Sequence, residues 1–314
     1  MLFQVEKSLF QDSLEKVVRA TGKTSSDESL NCVLIDVTDG KVTLTCTDII
    51  TTIKASFTCM DFENGQALVD AKFLLSYVKA LPSQELLIRT EKENKSISII
   101  SGKSKSSILY KDIKNFPIGK AVKEDITLNV ISEELKKALK EVLFAVAQDE
   151  TRPILTGVLF EVGDGKLTLV GLDGYRMAVS SIPVDCEESI SSVIPQKSAM
   201  ELQRILENNE ENVTIKISKS RIEFIFNSIV IISVPLEGTY VKYRSIIPEN
   251  DKVVCIINRQ GLLSLLNRAS AILTEKSKLV KLAFSNDSKL TLSAASSLGK
   301  ANEELKLEDF QGSE

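Results

Sequence analysis

Histidine is absent from all 314 residues. That removes the commonest general base and the commonest metal ligand at once. The chain also lacks a G-x-x-x-x-G-K-[ST] phosphate loop, a G-x-S-x-G nucleophile turn and a G-x-G-x-x-G dinucleotide turn. Carboxylates are plentiful, but none forms a spaced acid–base pair distinct from solvated surface. An Asp/Lys enzyme therefore rests only on charged loops such as Asp149-Glu150-Thr151-Arg152. No apolar run approaches the length of a membrane-spanning helix. The opening MLFQVEKSLFQDSLEK carries acids where a signal peptide needs an unbroken apolar stretch. Cysteine is sparse: Cys32, Cys46, Cys59, Cys186 and Cys255 are odd in number and contain no C-x-x-C. That usage fits buried, reduced thiols in a cytoplasmic protein. No cofactor, metal site or membrane partner is expected.

What is present is a globular composition, 43% hydrophobic and 26% charged, in a chain long enough for two or three domains. The chain also repeats itself. VLIDVTDGKVTLTCTD (33–48) returns as VLFEVGDGKLTLVGLD (158–173), so Val158 stands 125 residues after Val33. A third copy, KLAFSNDSKLTLSAAS (281–296), places Asp287 123 residues after Asp164. Alternating apolar residues mark the second run of each copy: Val42, Leu44 and Cys46; Leu167 and Leu169; Leu290 and Leu292. Period two means one buried and one wet face, and Asp-Gly between such runs predicts a hairpin.

The repeat extends beyond the hairpin. LVDAKFLLSYVKAL (68–81) matches VIPQKSAMELQRIL (193–206), both helical after the first three residues. ELLIRT and SISIIS, then NVTIKIS and RIEFIFN, predict two further strands per copy. Each hairpin is preceded by an amphipathic stripe: Phe10, Leu14, Val17 and Val18; Leu135, Leu139, Val142 and Val146; Leu262, Leu266, Ala269 and Leu273. Ser132 is the expected N-cap of the second of these helices, with Glu133 and Glu134 in its first turn. The units are α+β, with antiparallel sheets and helices on one face. The boundaries expected are 1–125, 126–250 and 251–314, the last holding only the first half of the pattern.

Net charge is −4, so any affinity for nucleic acid must come from distribution rather than total. Lys72 and Lys79 share a helical face, and Lys197 and Arg204 repeat it 125 residues on. Lys16, Arg19 and Lys23 share a face of the first helix, as do Lys136 and Lys140 on its counterpart, with Lys137 beside them. For any one helix this is ordinary solvated surface; four helices in two copies suggest a polyanion-facing wall. Glu15, Glu141 and Glu201 dilute it.

Tandem α+β units with a basic helical face and an acidic total resemble the bacterial sliding clamp family, the β subunit of DNA polymerase III. The segments that carry the resemblance are DETRPILTGVLFEV, LTLVGLDGYRMAV, PLEGTYVKYRSIIP, SGKSKSSI, NFP and ASAILTEK. The resemblance implies three domains per chain and two chains closed head-to-tail around duplex DNA. Helices would line the channel and sheets would form the outside. It implies a non-enzymatic processivity factor that tethers DNA polymerase III, other polymerases and repair factors. A separate ATP-driven clamp loader would open the ring, so no nucleotide site is expected. DNA-facing residues would then be Lys16, Arg19, Lys23, Lys72, Lys79, Lys136, Lys140, Gln148, Lys197 and Arg204, held to phosphates without reading sequence.

Transferred position by position, a partner-peptide cleft would use Leu155, Leu172, Gly174, Tyr175, Arg176, Met177, Val241, Ser245 and Ile246. Leu155, Met177 and Ile246 would supply an apolar pocket, Gly174 a close backbone approach, and Arg176 a donor to the peptide. Leu172 and Ser245 depart from the small polar and basic residues common in the family. The ring seam would join Ser106 and Ile108 to Ile272 and Leu273. Ser106 stands where the family usually has a large aromatic, and such an anchor is worth about 2 kcal/mol or more. With a shortened third domain, this predicts poor dimerisation, and a peptide-binding adaptor that no longer closes on DNA is the alternative.

Overall fold

The computed structural model describes every residue except 23–26, 60, 83, 118–125, 150, 250–252, 275–277, 286 and 313–314. Lys23 and Glu150 therefore lie outside the described residues. The chain forms two compact units, Met1–Tyr240 and Val241–Glu314.

In the first repeat the strands are β1 (Leu2–Glu6), β2 (Cys32–Thr38), β3 (Lys41–Thr47), β4 (Thr51–Thr58), β5 (Phe62–Glu63), β6 (Gly65–Asp70), β7 (Glu85–Glu91), β8 (Ser96–Ser101) and β9 (Ser104–Leu109). Its helices are α1 (Lys7–Val17) and α2 (Ala71–Ala80). The second repeat has β10 (Ile126–Ile131), β11 (Gly157–Gly163), β12 (Lys166–Leu172), β13 (Met177–Pro183), β14 (Ile190–Pro195), β15 (Asn212–Ile217), β16 (Ile222–Phe226) and β17 (Ile229–Ser233), with α3 (Ser132–Val142) and α4 (Gln196–Ile205). The second unit holds β18 (Val253–Ile256), α5 (Arg259–Ser270), β19 (Val280–Ser285), β20 (Lys289–Ser296), β21 (Gly299–Lys306) and β22 (Asp309–Gly312).

The first two hairpins turn where the sequence says. Asp39 and Gly40 have φ of 51° and 76°, and Asp164 and Gly165 have 53° and 67°. Two consecutive left-handed residues make the tight turn whose twist matches the flanking strands. Val42, Leu44, Cys46, Leu167 and Leu169 are all fully buried, as period two requires.

One sheet crosses residue 125. Its order is β10-β15-β16-β17-β4-β3-β2-β6, and β17 pairs with β4 from Ile229 opposite Ala55 to Ser233 opposite Thr51. A second sheet runs β5-β1-β7-β8-β9 and a third β13-β12-β11-β14. One apolar core serves both repeats, drawing on α1 through Phe10, Leu14 and Val17 and on α3 through Leu135, Leu139 and Val142. Phe3, Phe10 and Phe57 meet in it with ring centroids 5.9–6.3 Å apart.

One local expectation is corrected and another sharpened. Ser132 is not the cap of α3: β10 holds the chain extended through Ile131, which occupies the cap position without a side-chain bond. Ser132 is already helical, and its hydroxyl donates to the Glu207 carbonyl at 2.8 Å. In α5 the buried side chains are Leu265 and Ala269. Leu262 and Leu266 are only half-buried, and Leu273 lies beyond the helix end at Ser270. Ala269 of the predicted stripe is fully buried, Leu266 and Leu273 pack against the same cluster, and Leu265 joins them on that face. Asn258 caps this helix, accepting from the Gly261 amide at 2.8 Å.

Candidate nucleic-acid face and partner groove

Most of the cations that the repeat brings to the helices are already engaged. Lys16 pairs with Asp12 at 2.7 Å, one turn away on α1. Lys79 on α2 reaches Glu15 on α1 at 3.0 Å. That hydrogen bond, followed by one from Gln11, holds the Glu15 carboxyl below the usual glutamate range. Lys197 pairs with Asp48. Glu201, only 8% exposed, accepts from Arg204 at 2.8 Å and from Arg19 at 3.3 Å. Lys136 donates to the Leu206 carbonyl at 2.7 Å, and Gln148 to the Val146 carbonyl at 3.3 Å. Lys72 and Lys140 are exposed and carry no ion pair among the described residues. Exposed pairs of this kind contribute little stability each, about 0–1 kcal/mol, and exchange readily with other anions.

Two of these contacts and one hydroxyl pair join the repeats. Arg19 to Glu201, Lys197 to Asp48, and the Thr51 and Ser198 hydroxyls at 2.7 Å fasten the first repeat to α4. Sequence reasoning counted Glu201 as a dilution of the basic stripe. Its spacing of three residues from Arg204 on one helix was the available signal that it is a clasp.

In the proposed partner cleft, residues 172–177 form one ordered turn. Asp173 Oδ1 accepts from the amides of Tyr175 at 2.9 Å and Arg176 at 3.0 Å, while Oδ2 accepts from Arg176 Nε at 2.9 Å. The two amide bonds, Tyr175's first, hold the Asp173 carboxyl below its usual range. Gly174 has φ 91°, and a Cβ there would meet nothing within 4 Å. Within the chain, glycine is favoured here by the left-handed backbone, and the space beside it is open. Tyr175 is fully exposed, and Arg176 lies over the Phe144 ring, 6.0 Å from the centroid. Met177 is half-buried opposite Leu172. Leu155 and Leu172 are 1% and 6% exposed, so both serve chiefly as core. Val241, Ser245 and Ile246 belong to the second unit, where Ser245 donates to the Lys242 carbonyl at 2.7 Å and Ile246 is exposed.

Of the seam residues, Ser106 sits on β9, an outer strand of its sheet, with its hydroxyl bonded to Tyr77. Ile108 is 8% exposed and packs into the core of its own repeat, so it leaves little apolar surface for a seam. The exposed apolar side chain on that strand is Leu109. Ile272 and Leu273 are half-buried just after α5.

Asp149 accepts from the Thr151 hydroxyl and amide, which hold its carboxyl low, the wrong direction for a general acid. No cluster of three His, Cys, Asp or Glu side chains able to hold a metal occurs among the described residues. All five cysteines are free; Cys32 and Cys46 are buried, whereas Cys59, Cys186 and Cys255 are half-buried rather than fully inside.

The chain matches the sequence profiles of the DNA polymerase III beta subunit along nearly its whole length. The N-terminal domain profile covers residues 1–119, the central domain 129–242 and the C-terminal domain 244–314. It is 28% identical to the beta sliding clamp of Bacillus subtilis, over 100% of this chain and 86% of that protein. It is 29% identical to the beta sliding clamp of Halalkalibacterium halodurans with the same coverage. The crystal structure of the Bacillus subtilis clamp superposes with a TM-score of 0.95 at 27% identity, over 99% of this chain and 85% of that one. A putative beta subunit from Eubacterium rectale gives 0.94 at 25% identity, again with 99% and 85% coverage.

Proposed function

The chain belongs to the family of the DNA polymerase III beta subunit, the bacterial sliding clamps, and from that membership we propose how its surfaces do a clamp's work. It is a DNA sliding clamp. Its part in replication is to hold a polymerase on duplex DNA rather than to catalyse a reaction, and bacterial DNA places that work in the cytoplasm. The observation that carries the detail is the twice-repeated helix face, on which cations alternate with carboxylates that half-neutralise them. A ring that must slide needs contacts that are weak, many and blind to sequence. Lys72 and Lys140 would meet phosphates directly. Lys16, Arg19, Lys79, Lys136, Lys197 and Arg204 would do so only by leaving an internal partner.

Partner proteins, the replicative polymerase and a clamp loader among them, would dock a short peptide at the turn 172–177. Tyr175, Met177 and the Arg176–Phe144 stack offer an exposed aromatic and apolar platform there. A second copy of the chain would close the ring along β9, through backbone pairing and Leu109 rather than Ile108. The adaptor alternative has no observation of its own in its favour.

Primer extension by DNA polymerase III on a long singly primed circle, with a clamp loader, tests this reading. Products should lengthen when the chain is present, and the chain should be retained on circular DNA but slide off the linear form. Light scattering should give the mass of two chains. Unchanged product length together with equal loss from both DNA forms would overturn it. Glu201→Gln frees Arg19 and Arg204, so it should tighten DNA binding and steepen the salt dependence by up to about 0.9 per added phosphate contact.

A further inference from the structure

The face of the eight-stranded sheet opposite the shared core carries a groove of about 430 Å³, within the size range of ligand sites. It lies where β4 of the first repeat pairs with β17 of the second, with Ile232 opposite Thr52. Its floor is threonine-rich, from Thr43, Thr45 and Thr52. Its walls are apolar: Phe116 and Leu34 on one side, Ile49, Ile50, Ile232 and Val234 on the other. Ile49 is 63% exposed, Ile50 50% and Val234 43%, so three aliphatic side chains face water at the rim of one groove.

The rim is held rigidly in an unfavourable conformation. Ile49 has φ 79°. For a β-branched residue this left-handed backbone is strained, and strain of this kind collects at functional sites. Gly174 holds the corresponding place 125 residues on, with φ 91°, and pays nothing for it. The first repeat thus keeps an isoleucine where the backbone favours glycine. Several bonds enforce the turn. Thr47 Oγ1 accepts from the Ile49 amide at 3.0 Å, Asp48 Oδ1 from Thr51 at 2.6 Å, and the Ile50 carbonyl from Val234 at 2.8 Å. Lys197 and Ser198 grip the same turn from α4. A preorganised apolar rim binds without an ordering penalty.

The groove lining carries two cations, Lys54 and Arg221, and one acid, Asp36. Arg221 pairs with Glu223 at 3.9 Å, whereas Lys54 has no ion pair among the described residues. The Asp36 carboxylate keeps its charge but is turned to neutral donors, Thr38 on one oxygen and Gln66 on the other, each at 2.9 Å, so no ion pair to Lys54 is formed. A neutral apolar ligand would leave the Lys54 ammonium without an anion, whereas a carboxylate beside an apolar anchor would satisfy both features.

We propose that this groove is a second docking site, for a short acidic segment of a partner protein that seats one or two large apolar side chains between Ile49, Ile50 and Val234. It goes beyond the clamp reading and uses none of residues 172–177.

The test is to pan a phage-displayed library of random decapeptides on the full chain and titrate the selected synthetic peptides by fluorescence anisotropy. Peptides pairing Asp or Glu with Leu or Phe should emerge. Lys54→Glu and Ile50→Glu, both at the surface, should each weaken a substantial subset of them by about tenfold or more. Arg176→Glu should leave that subset unchanged. Ile49→Gly should weaken it without lowering the unfolding temperature, because the strain is relieved as the anchor is lost. If every selected peptide is insensitive to Lys54→Glu and Ile50→Glu, or loses binding with Arg176→Glu instead, the proposal is wrong. Failure of processivity with groove binding intact would sink the clamp reading alone.

Discussion

The second and third hairpins share a ladder but not a covering. In β11 and β12 Phe160 pairs with Leu169, and both are fully buried. In β19 and β20 Leu282 pairs with Leu292. Leu292 is fully buried, yet Leu282 is 42% exposed. Ser285 faces Lys289, four residues on, whereas Gly163 faces Lys166, three on, so the pairing moves by one place and Leu282 returns to the inward face. The hairpin is therefore equivalent; what lies over it is not. Met1–Tyr240 packs four helices and three sheets into one core, whereas the buried cluster around α5 is Leu265, Ala269, Leu292 and Ala294. A strand's own sequence decides which face is apolar, and the rest of the chain decides how dry that face becomes.

The largest effect should come from breaking the thick core. Phe10 is fully buried and edge-packed on Phe3 and Phe57. Phe10→Ala should destabilise Met1–Tyr240 by about 3–5 kcal/mol, since a large ring leaves a cavity that a dense core fills poorly. Urea unfolding followed by amide exchange would read it, and a loss under 1 kcal/mol would mean the core is looser than its burial indicates.

Leu292→Ala should cost less, about 2 kcal/mol, because a thinly covered site can collapse around the missing atoms. Its effect should stay within Val241–Glu314, whose amides should exchange faster than those of β3 and β12 even in the unaltered chain. A single transition in which Leu292→Ala and Phe10→Ala move all probes equally would erase the distinction between the units.

Legibility follows the same division. Asp39-Gly40 and Asp164-Gly165, the period-two runs, and the stripes of α1 and α3 could be read because turn and face are local properties. The start of α3 could not, because β10 pairing with β15 overrides the cap preference of Ser132. The candidate site fared similarly. The turn at Asp173 and Gly174 was legible, but the partners of the basic stripe were not. Arg19 finds Glu201 and Lys197 finds Asp48 only after β4 and β17 have joined the repeats. Ile108 was placed at the seam by resemblance alone, and an alternating strand does not disclose which of its faces meets its own core. The groove over β4 and β17 is assembled from segments more than a hundred residues apart, with no local signature except an isoleucine in a glycine's place.

The smallest effect probes what fastens α5 to its sheet. Arg268 Nε donates to both Glu303 oxygens at 3.1 Å, and its Nη2 donates to Oε2 at 2.6 Å. These bonds hold the Glu303 carboxyl below the usual glutamate range. A carboxylate depressed in the native state contributes stability that is fully present above its unfolded pKa, and that contribution fades as pH falls below about 4.3 toward the native value. Both partners are solvent-accessible, so the contribution is small. In a unit with so little apolar cover it is nevertheless a measurable share. The unfolding temperature of Val241–Glu314 should therefore decline as pH is lowered from 5 to 3, and Arg268→Gln should flatten that decline. Met1–Tyr240 should respond to the same acid range through Glu15 and Asp173, whose partners Arg268→Gln leaves in place. An Arg268→Gln chain whose second unit keeps its full acid sensitivity would show that the bidentate pair is ornamental, and that even the thin unit stands on Leu265, Ala269, Leu292 and Ala294.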